Sequence, residues 1–237
     1  MGVICGVGPG PTCQSVGTRA PAQPVASKLS SVVRSCSLMP KRAVDLGLGA
    51  TLLLLFSPAL LITALSLWLQ GGTIFYGHRR VGLNGREFTV WKFRTMFSEA
   101  DQQLQGVLDG CSQSRITWAN RRKLPNDPRV TRFGRVLRRS SIDELPQLWN
   151  VLRGEMSLVG PRPVPRDELQ EKYGLAARAY QSVKPELTGL WQVSGRNTLT
   201  YSERVALDQH YAVSRDGWMD LTILWRTLWT VIRCEGR

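Results

Sequence analysis

From Val44 to Leu69 the chain is almost unbroken Leu, Ala, Ile and Val. As one helix the run would be about 39 Å long at ~1.5 Å per residue, enough to cross a bilayer. Ser57-Pro58 interrupts it near the middle, where proline removes a backbone hydrogen bond and bends a helix. Basic residues stand at both ends: Lys28, Arg34, Lys41 and Arg42 before, His78, Arg79 and Arg80 after. The positive-inside rule therefore claims both ends for the cytoplasm. A helix–break–helix that enters and leaves by one face resolves this, with the Ser57 hydroxyl satisfying a carbonyl freed by the bend. A kinked helix that crosses outright is the alternative.

Ahead of the run, residues 1–40 are rich in Gly, Pro, Ser and Thr, without hydrophobic period, and predict a disordered tail. Gly6 stands where a myristoylation signal needs Ser or Thr, and the apolar run begins too late for a cleaved signal peptide. Behind it, Thr73–Tyr76 and Phe88–Phe93 are β-prone, joined by the hairpin-like Gly82-Leu83-Asn84-Gly85. Helical periods follow near 98–108, 114–122, 143–153, 166–182, 200–213 and 219–233. The last carries Leu221, Leu224, Trp225, Leu228, Trp229 and Ile232 at spacings of three and four. That stripe suits either the head-group plane of a membrane or an ordinary core. The expected fold class is α+β, mostly helical. Its parts are a tail (1–40), a re-entrant membrane helix (41–70) and a cytoplasmic catalytic domain (71–237).

Charge sharpens this. The chain has 31 Lys+Arg against 18 Asp+Glu, a net +13. Arg115, Arg121, Arg122, Lys123, Arg129, Arg132, Arg135, Arg138 and Arg139 crowd one stretch with the single acid Asp127. Such a run implies polyanionic partners: nucleic acid, anionic head groups or diphosphates. The five cysteines show no Cys-x-x-Cys spacing, which argues against a zinc site or a disulfide framework. With only His78 and His210, imidazole chemistry is not expected. Any metal should be a hard ion on carboxylates, such as Mg²⁺.

The carboxylates that stand out are Asp143 and Glu144, directly behind Arg138-Arg139. Phosphoryl transfer needs that mixture: a carboxylate to attack or hold a metal, and guanidinium groups to take the phosphate charge. Ser141 and Glu144 also fit a capping box at the start of a helix. A different class, a membrane-anchored basic module that grips nucleic acid or lipid through residues 115–139, competes with catalysis; that stretch carries Trp118 and Phe133 but no nucleic-acid fold signature.

Several segments occur together in one order. They are Lys41-Arg42-Ala43-Val44-Asp45, Gly77-His78-Arg79-Arg80-Val81-Gly82, Trp91-Lys92-Phe93-Arg94-Thr95-Met96 and Asn126-Asp127-Pro128-Arg129-Val130-Thr131. They continue with Ser141-Ile142-Asp143-Glu144-Leu145-Pro146-Gln147, Gly154–Pro163 and Leu187–Arg196. From about residue 41 to the end the chain resembles the bacterial sugar transferases that begin cell-surface polysaccharides, the monotopic phosphoglycosyl transferases. The resemblance implies transfer of sugar-1-phosphate from a UDP-sugar to polyprenyl (undecaprenyl) phosphate, with release of UMP, at the cytoplasmic face of the bacterial inner membrane. It implies Asp143 as nucleophile, Glu144 with Asp143 on Mg²⁺, and Arg138 and Arg162 near the phosphates. Lys92 and Arg94 are expected at the nucleotide diphosphate. The subgroup resembled starts exopolysaccharides with galactose or glucose, and no residue decides between the two. Larger members carry an amino-terminal bundle of spanning helices, so this chain reads as a minimal form. Nucleic acid is not an expected partner, and a homodimer is left open.

Overall fold

The computed structural model describes residues 38–97, 99–121, 124, 127–195 and 198–232. The expectations for most of the tail, with Lys28 and Arg34, and for Arg122 and Lys123 of the basic run, lie outside the described residues.

Helix α1 (Leu38–Leu55) and α2 (Ser57–Leu69) meet at Phe56, and the pair is bent by 58°. Pro58 offers no N–H to the Leu54 carbonyl; the Ser57 hydroxyl donates to it instead at 2.7 Å. Among the described residues no single helix is long and apolar enough to cross a membrane. Leu54, Leu55, Leu61, Ile62, Leu65, Trp68 and Leu69 nonetheless stand bare on the surface of the pair, an apolar patch that water does not favour.

Strands β1 (Phe75–Val81) and β2 (Glu87–Phe93) form an antiparallel hairpin, with Phe75 opposite Phe93 and Val81 opposite Glu87. The first strand starts later and runs further than the apolar stretch 73–76 suggested. Gly71 and Gly72 turn the chain with positive φ, and pairing with β2 then carries strand geometry through the polar residues 77–80. Helices α3 (Ala100–Gly110), α4 (Ser112–Arg121), α5 (Arg132–Ser140) and α6 (Gln147–Arg153) follow. Next, β3 (Ser157–Val159) pairs in parallel with β4 (Glu186–Thr188). Between those strands, Arg166–Gln181 is one irregular helical stretch, widened to a π turn at Leu169–Tyr173 and ending in α7 (Ala177–Gln181). The last elements are α8 (Leu190–Val193), α9 (Tyr201–Ser214) and α10 (Gly217–Ile232). The fold is therefore a mostly helical α+β structure with two short sheets, as the pattern predicted, and Leu38–Arg237 make up one compact unit.

Three apolar clusters hold it. The first joins Val90, Leu148, Val151, Met156, Leu158, Tyr211 and Ile223, with Leu48, Leu52 and Leu53 of α1 packed on it. The second is Val81, Val164, Leu169, Tyr173 and Tyr180. The third joins Leu67 of α2 to Phe93 and Leu137. Polar bonds then fix the first turns of α1. Lys41 donates to the Val159 carbonyl and to Asp220. Arg42 donates to the carbonyls of Val151 and Leu152 at the end of α6. Buried Asp45 accepts from the Ser157 hydroxyl and the Leu158 amide. The other end of the pair is tied as well, since Arg94 donates to the Gly71 carbonyl at 2.6 Å.

On α10 the stripe read from the sequence is mostly the outer face: Leu221, Trp225, Leu228 and Trp229 are exposed, together with Trp218. Ile223, off that stripe, is fully buried in the core, and Leu224 of the stripe packs against the same cluster together with Met219.

Candidate active site

The acid pair sits where three elements converge. Strand β2 brings Lys92, α5 brings Arg138, and the tight turn Ile142–Glu144 presents Asp143 and Glu144. Helix α5 was not foreseen, because its four arginines read as a charged run. The signals for it are Thr131, whose side chain accepts from the Gly134 amide as an N-cap, and Phe133 with Leu137 one turn apart on the inner face. Gly134 lets this helix lie against the chain leaving β2: a Cβ there would fall 2.1 Å from the Thr95 carbonyl oxygen. That close approach puts Arg138 within reach of Thr95, whose hydroxyl accepts from its Nε at 2.9 Å.

The expected capping box is not formed. Ser141 takes a left-handed conformation (φ 59°) and ends α5, its amide donating back to the Arg138 carbonyl, and its side chain caps nothing. The expected helix from 143 also starts later. Pro146 has no N–H to return to the Ile142 carbonyl, so a single 3₁₀ turn precedes α6. That turn holds Asp143 in the interior, 8% exposed, beside Glu144.

Burial, and then the like charge of Glu144, push the Asp143 carboxyl up to about 7, against the pull of Lys92 and Arg138. Glu144 is held by Lys92, Nζ to Oε1 2.6 Å. Asn150, fully buried, sets the distance between these parts. It accepts from the Trp91 amide and donates to the Thr89 carbonyl and to Glu155, clamping α6 to β2. The expected site residues therefore divide. Asp143, Glu144, Lys92 and Arg138 come together. Arg94 is engaged with Gly71 and lines a cleft of about 320 Å³ with Leu67, Met96, Phe97 and Thr131. Arg162 stacks on Trp191, 5.3 Å from the ring centre. Ser57 and Pro58 lie at the bend of the apolar pair.

Sequence reading missed Glu186, which is fully buried on β4. Its Oε1 accepts from the Trp191 indole N–H at 3.0 Å. Burial, then Asp208, raise its pKa, with Glu144 adding and Arg162 opposing. The basic run is not an open comb of cations. Arg129 is paired with Asp127 at 2.6 Å and stacked on Trp118, and Arg115 donates to carbonyls at the end of α3.

Among the described residues no three His, Cys, Asp or Glu side chains gather as a ready metal cage. The adjacent Asp143 and Glu144 still fit Mg²⁺, which commonly takes one or two carboxylates and leaves its other positions to water and phosphate.

Buried Asp143 beside the partly exposed Glu144, with Lys92 and Arg138 close by, is an arrangement able to attack a phosphate and take up its charge. The family described as bacterial sugar transferase matches residues 36–234, and the chain belongs to it. It is 48% identical over 208 residues to the exopolysaccharide production protein ExoY of Rhizobium meliloti (strain 1021), covering 87% of this chain and 92% of that one. It is 41% identical over 207 residues to an undecaprenyl-phosphate galactose phosphotransferase of Salmonella typhimurium, covering 87% of this chain and 43% of the other. With an undecaprenyl-phosphate glucose phosphotransferase of Komagataeibacter xylinus it shares 40% identity over 206 residues, 81% of this chain and 35% of that one.

Proposed function

We propose that this enzyme transfers hexose-1-phosphate, galactose or glucose, from a UDP-sugar to undecaprenyl phosphate, the first step of exopolysaccharide synthesis. The observation that carries the reading is Asp143, buried beside Glu144 and between Lys92 and Arg138. The names of the relatives supply the substrate class. An Asp143 oxygen attacks the sugar-bearing phosphorus and the bond to the UMP oxygen breaks, leaving a phosphosugar on the carboxyl. The lipid phosphate oxygen then attacks the same phosphorus, forming a diphosphate-linked lipid sugar and freeing the carboxylate. Arg138 and Lys92 take the charge that builds on the phosphate oxygens. Mg²⁺, when bound by Asp143 and Glu144, supplies further neutralisation of the diphosphate.

Incubation with UDP-galactose or UDP-glucose alone, without lipid, should release UMP up to one equivalent per protein and label Asp143. Chelator should stop release and added Mg²⁺ restore it. Absence of both burst and adduct, with turnover only when lipid is present, would instead assign direct attack by the lipid phosphate.

The bent pair α1–α2 is re-entrant on this reading, and the domain sits on the cytoplasmic face of the bacterial membrane. Support comes from the bonds at both ends: Lys41, Arg42 and Asp45 at one, Gly71 at the other, all made to the same body. A crossing helix would separate its ends by the ~30 Å bilayer core. Cysteines introduced singly as Ser30→Cys and Thr73→Cys, without native cysteines, should both resist a membrane-impermeant thiol reagent until the cells are opened. Labelling of the early position alone in intact cells would show a crossing.

A further inference from the structure

We propose that Thr95 is a positioning residue for Arg138, holding the guanidinium so that its outer fork meets the phosphate being transferred; the inference rests on the transferase reading above. Arginine carries its charge at the end of a long, flexible stem. What it contributes at a transition state depends on whether that stem is fixed beforehand. Arg138 is half-buried in the last turn of α5. Among the described residues its one side-chain hydrogen bond runs from Nε to the Thr95 hydroxyl, at 2.9 Å. With Nε tied down, Nη1 and Nη2 are left to grip two oxygens side by side.

Thr95 is itself held firmly. It lies two residues past the end of β2 and is 6% exposed. Its carbonyl accepts the Thr131 amide at 3.0 Å and the Thr131 hydroxyl at 3.4 Å. Next to it, Met96 bridges to Val130. The Thr131 hydroxyl oxygen in turn accepts the Gly134 amide at 2.8 Å. Gly134 sits so close to this knot that a Cβ there would lie 2.8 Å from Thr131 Oγ1, besides its clash with the Thr95 carbonyl. One knot thus fixes both the backbone of Thr95 and the start of α5. The branched Thr95 side chain has little rotamer freedom of its own, so its hydroxyl is a fixed post at a set distance from Arg138.

The chemistry of the post matters as much as its place. Lys92, Arg129 and Arg166 are each held by a carboxylate, from Glu144, Asp127 and Glu87, which cancels much of their charge. Arg138 is held by a neutral hydroxyl and keeps its charge whole for the phosphate. A guanidinium that collapsed onto Asp143 would lose that charge and also cover the oxygen that has to reach phosphorus. Tying Nε to Thr95 prevents the collapse, so a single hydrogen bond protects both the cation and the nucleophile.

The test uses the full chain in detergent or nanodiscs, as wild type, Thr95→Val, Thr95→Ser, Arg138→Gln and the double variant Thr95→Val with Arg138→Gln. Thr95→Ala takes the place of the valine variant if valine unfolds the chain. Valine keeps the branched shape and removes the acceptor, so kcat/KM for UMP release should fall at least tenfold. Serine keeps the acceptor and should stay within threefold of wild type. On the Arg138→Gln background the valine change should cost less than twofold, because the hydroxyl then has no guanidinium to hold. Equilibrium dialysis with inorganic pyrophosphate, which needs no turnover, should repeat the pattern: weaker binding in Thr95→Val, wild-type binding in Thr95→Ser, no further loss in the double variant. A folded Thr95→Val with kcat/KM within threefold of wild type would overturn the proposal. So would an equal fractional loss with and without Arg138, which would make Thr95 a part of the fold alone. If the wild type shows no phosphosugar transfer, the transferase reading fails, and the pyrophosphate cycle still decides whether Thr95 acts through Arg138.

Discussion

Asp143→Asn should lower UMP release by about 10³-fold or more and, at pH 8, make the folded protein more stable. Amide for carboxylate is nearly isosteric, so the 3₁₀ turn keeps its shape while the nucleophile is gone. A thousandfold loss corresponds to roughly 4 kcal/mol of barrier, in keeping with removal of a covalent step. A loss under tenfold, only ~1.4 kcal/mol, would dismiss Asp143 as nucleophile.

The stability gain follows from the same burial. Folding raises the Asp143 carboxyl from 3.8 to about 7, so the folded state holds its proton more tightly than the unfolded chain. The protonated form is the one that folding favours. The cost of carrying Asp143 therefore begins near pH 4, grows to about pH 7 and stays constant above. Its ceiling is roughly 4 kcal/mol at ~1.36 kcal/mol per pH unit, and relaxation around the carboxylate lowers the measured value below that. Thermal midpoints of Asp143→Asn and wild type should diverge from pH 5 to about pH 7 and keep a constant gap from there to pH 8. A difference that is constant over the whole range would mean that Asp143 is not buried as described. Activity should show an acid limb at or below pH 7 in kcat/KM, moving lower as Mg²⁺ is raised, because a bound cation favours the carboxylate.

What the sequence disclosed tracks how local the determinants are. The bend at Ser57-Pro58 was legible because proline acts on its own helix, and the Ser57 bond to Leu54 is a contact three residues away. The hairpin was legible from its turn. Helix α5 was not, since its apolar face amounts to Phe133 and Leu137 against Leu67 and Phe93, partners far off in the chain. The parallel pair β3–β4 is three residues long in each strand, too short for a period to register. At the site, Asp143, Glu144 and Arg138 are neighbours in sequence and were found together. Lys92 joins them only because Asn150 clamps β2 to α6. Glu186 and Asp208 were invisible for the same reason: what sets them apart is burial, each with one carboxylate oxygen lacking a partner, which no residue type announces.

Asp45→Ala should destabilise the protein by about 3 kcal/mol, because Asp45 bolts the first turns of α1 to β3. Its carboxylate is 5% exposed and accepts from the Ser157 hydroxyl at 2.9 Å and the Leu158 amide at 3.0 Å. Alanine would leave both donors buried and unpaired, at about 1–3 kcal/mol each. Asp45→Asn should cost clearly less, since Oδ1 alone accepts from both the Ser157 hydroxyl and the Leu158 amide and an amide oxygen in its place can do the same. The loss should appear as a lower thermal midpoint and as faster proteolysis at the junction of α1 with the body. KM for UDP-sugar should hold in the fraction that remains folded, because the bonds of Asp45 all run to β3. A midpoint within a degree of wild type for Asp45→Ala would show that the Asp45 bonds add nothing to the packing of Leu48, Leu52 and Leu53 and the bonds of Lys41 and Arg42. Re-entry would then rest, at the entering end, on Lys41 and Arg42.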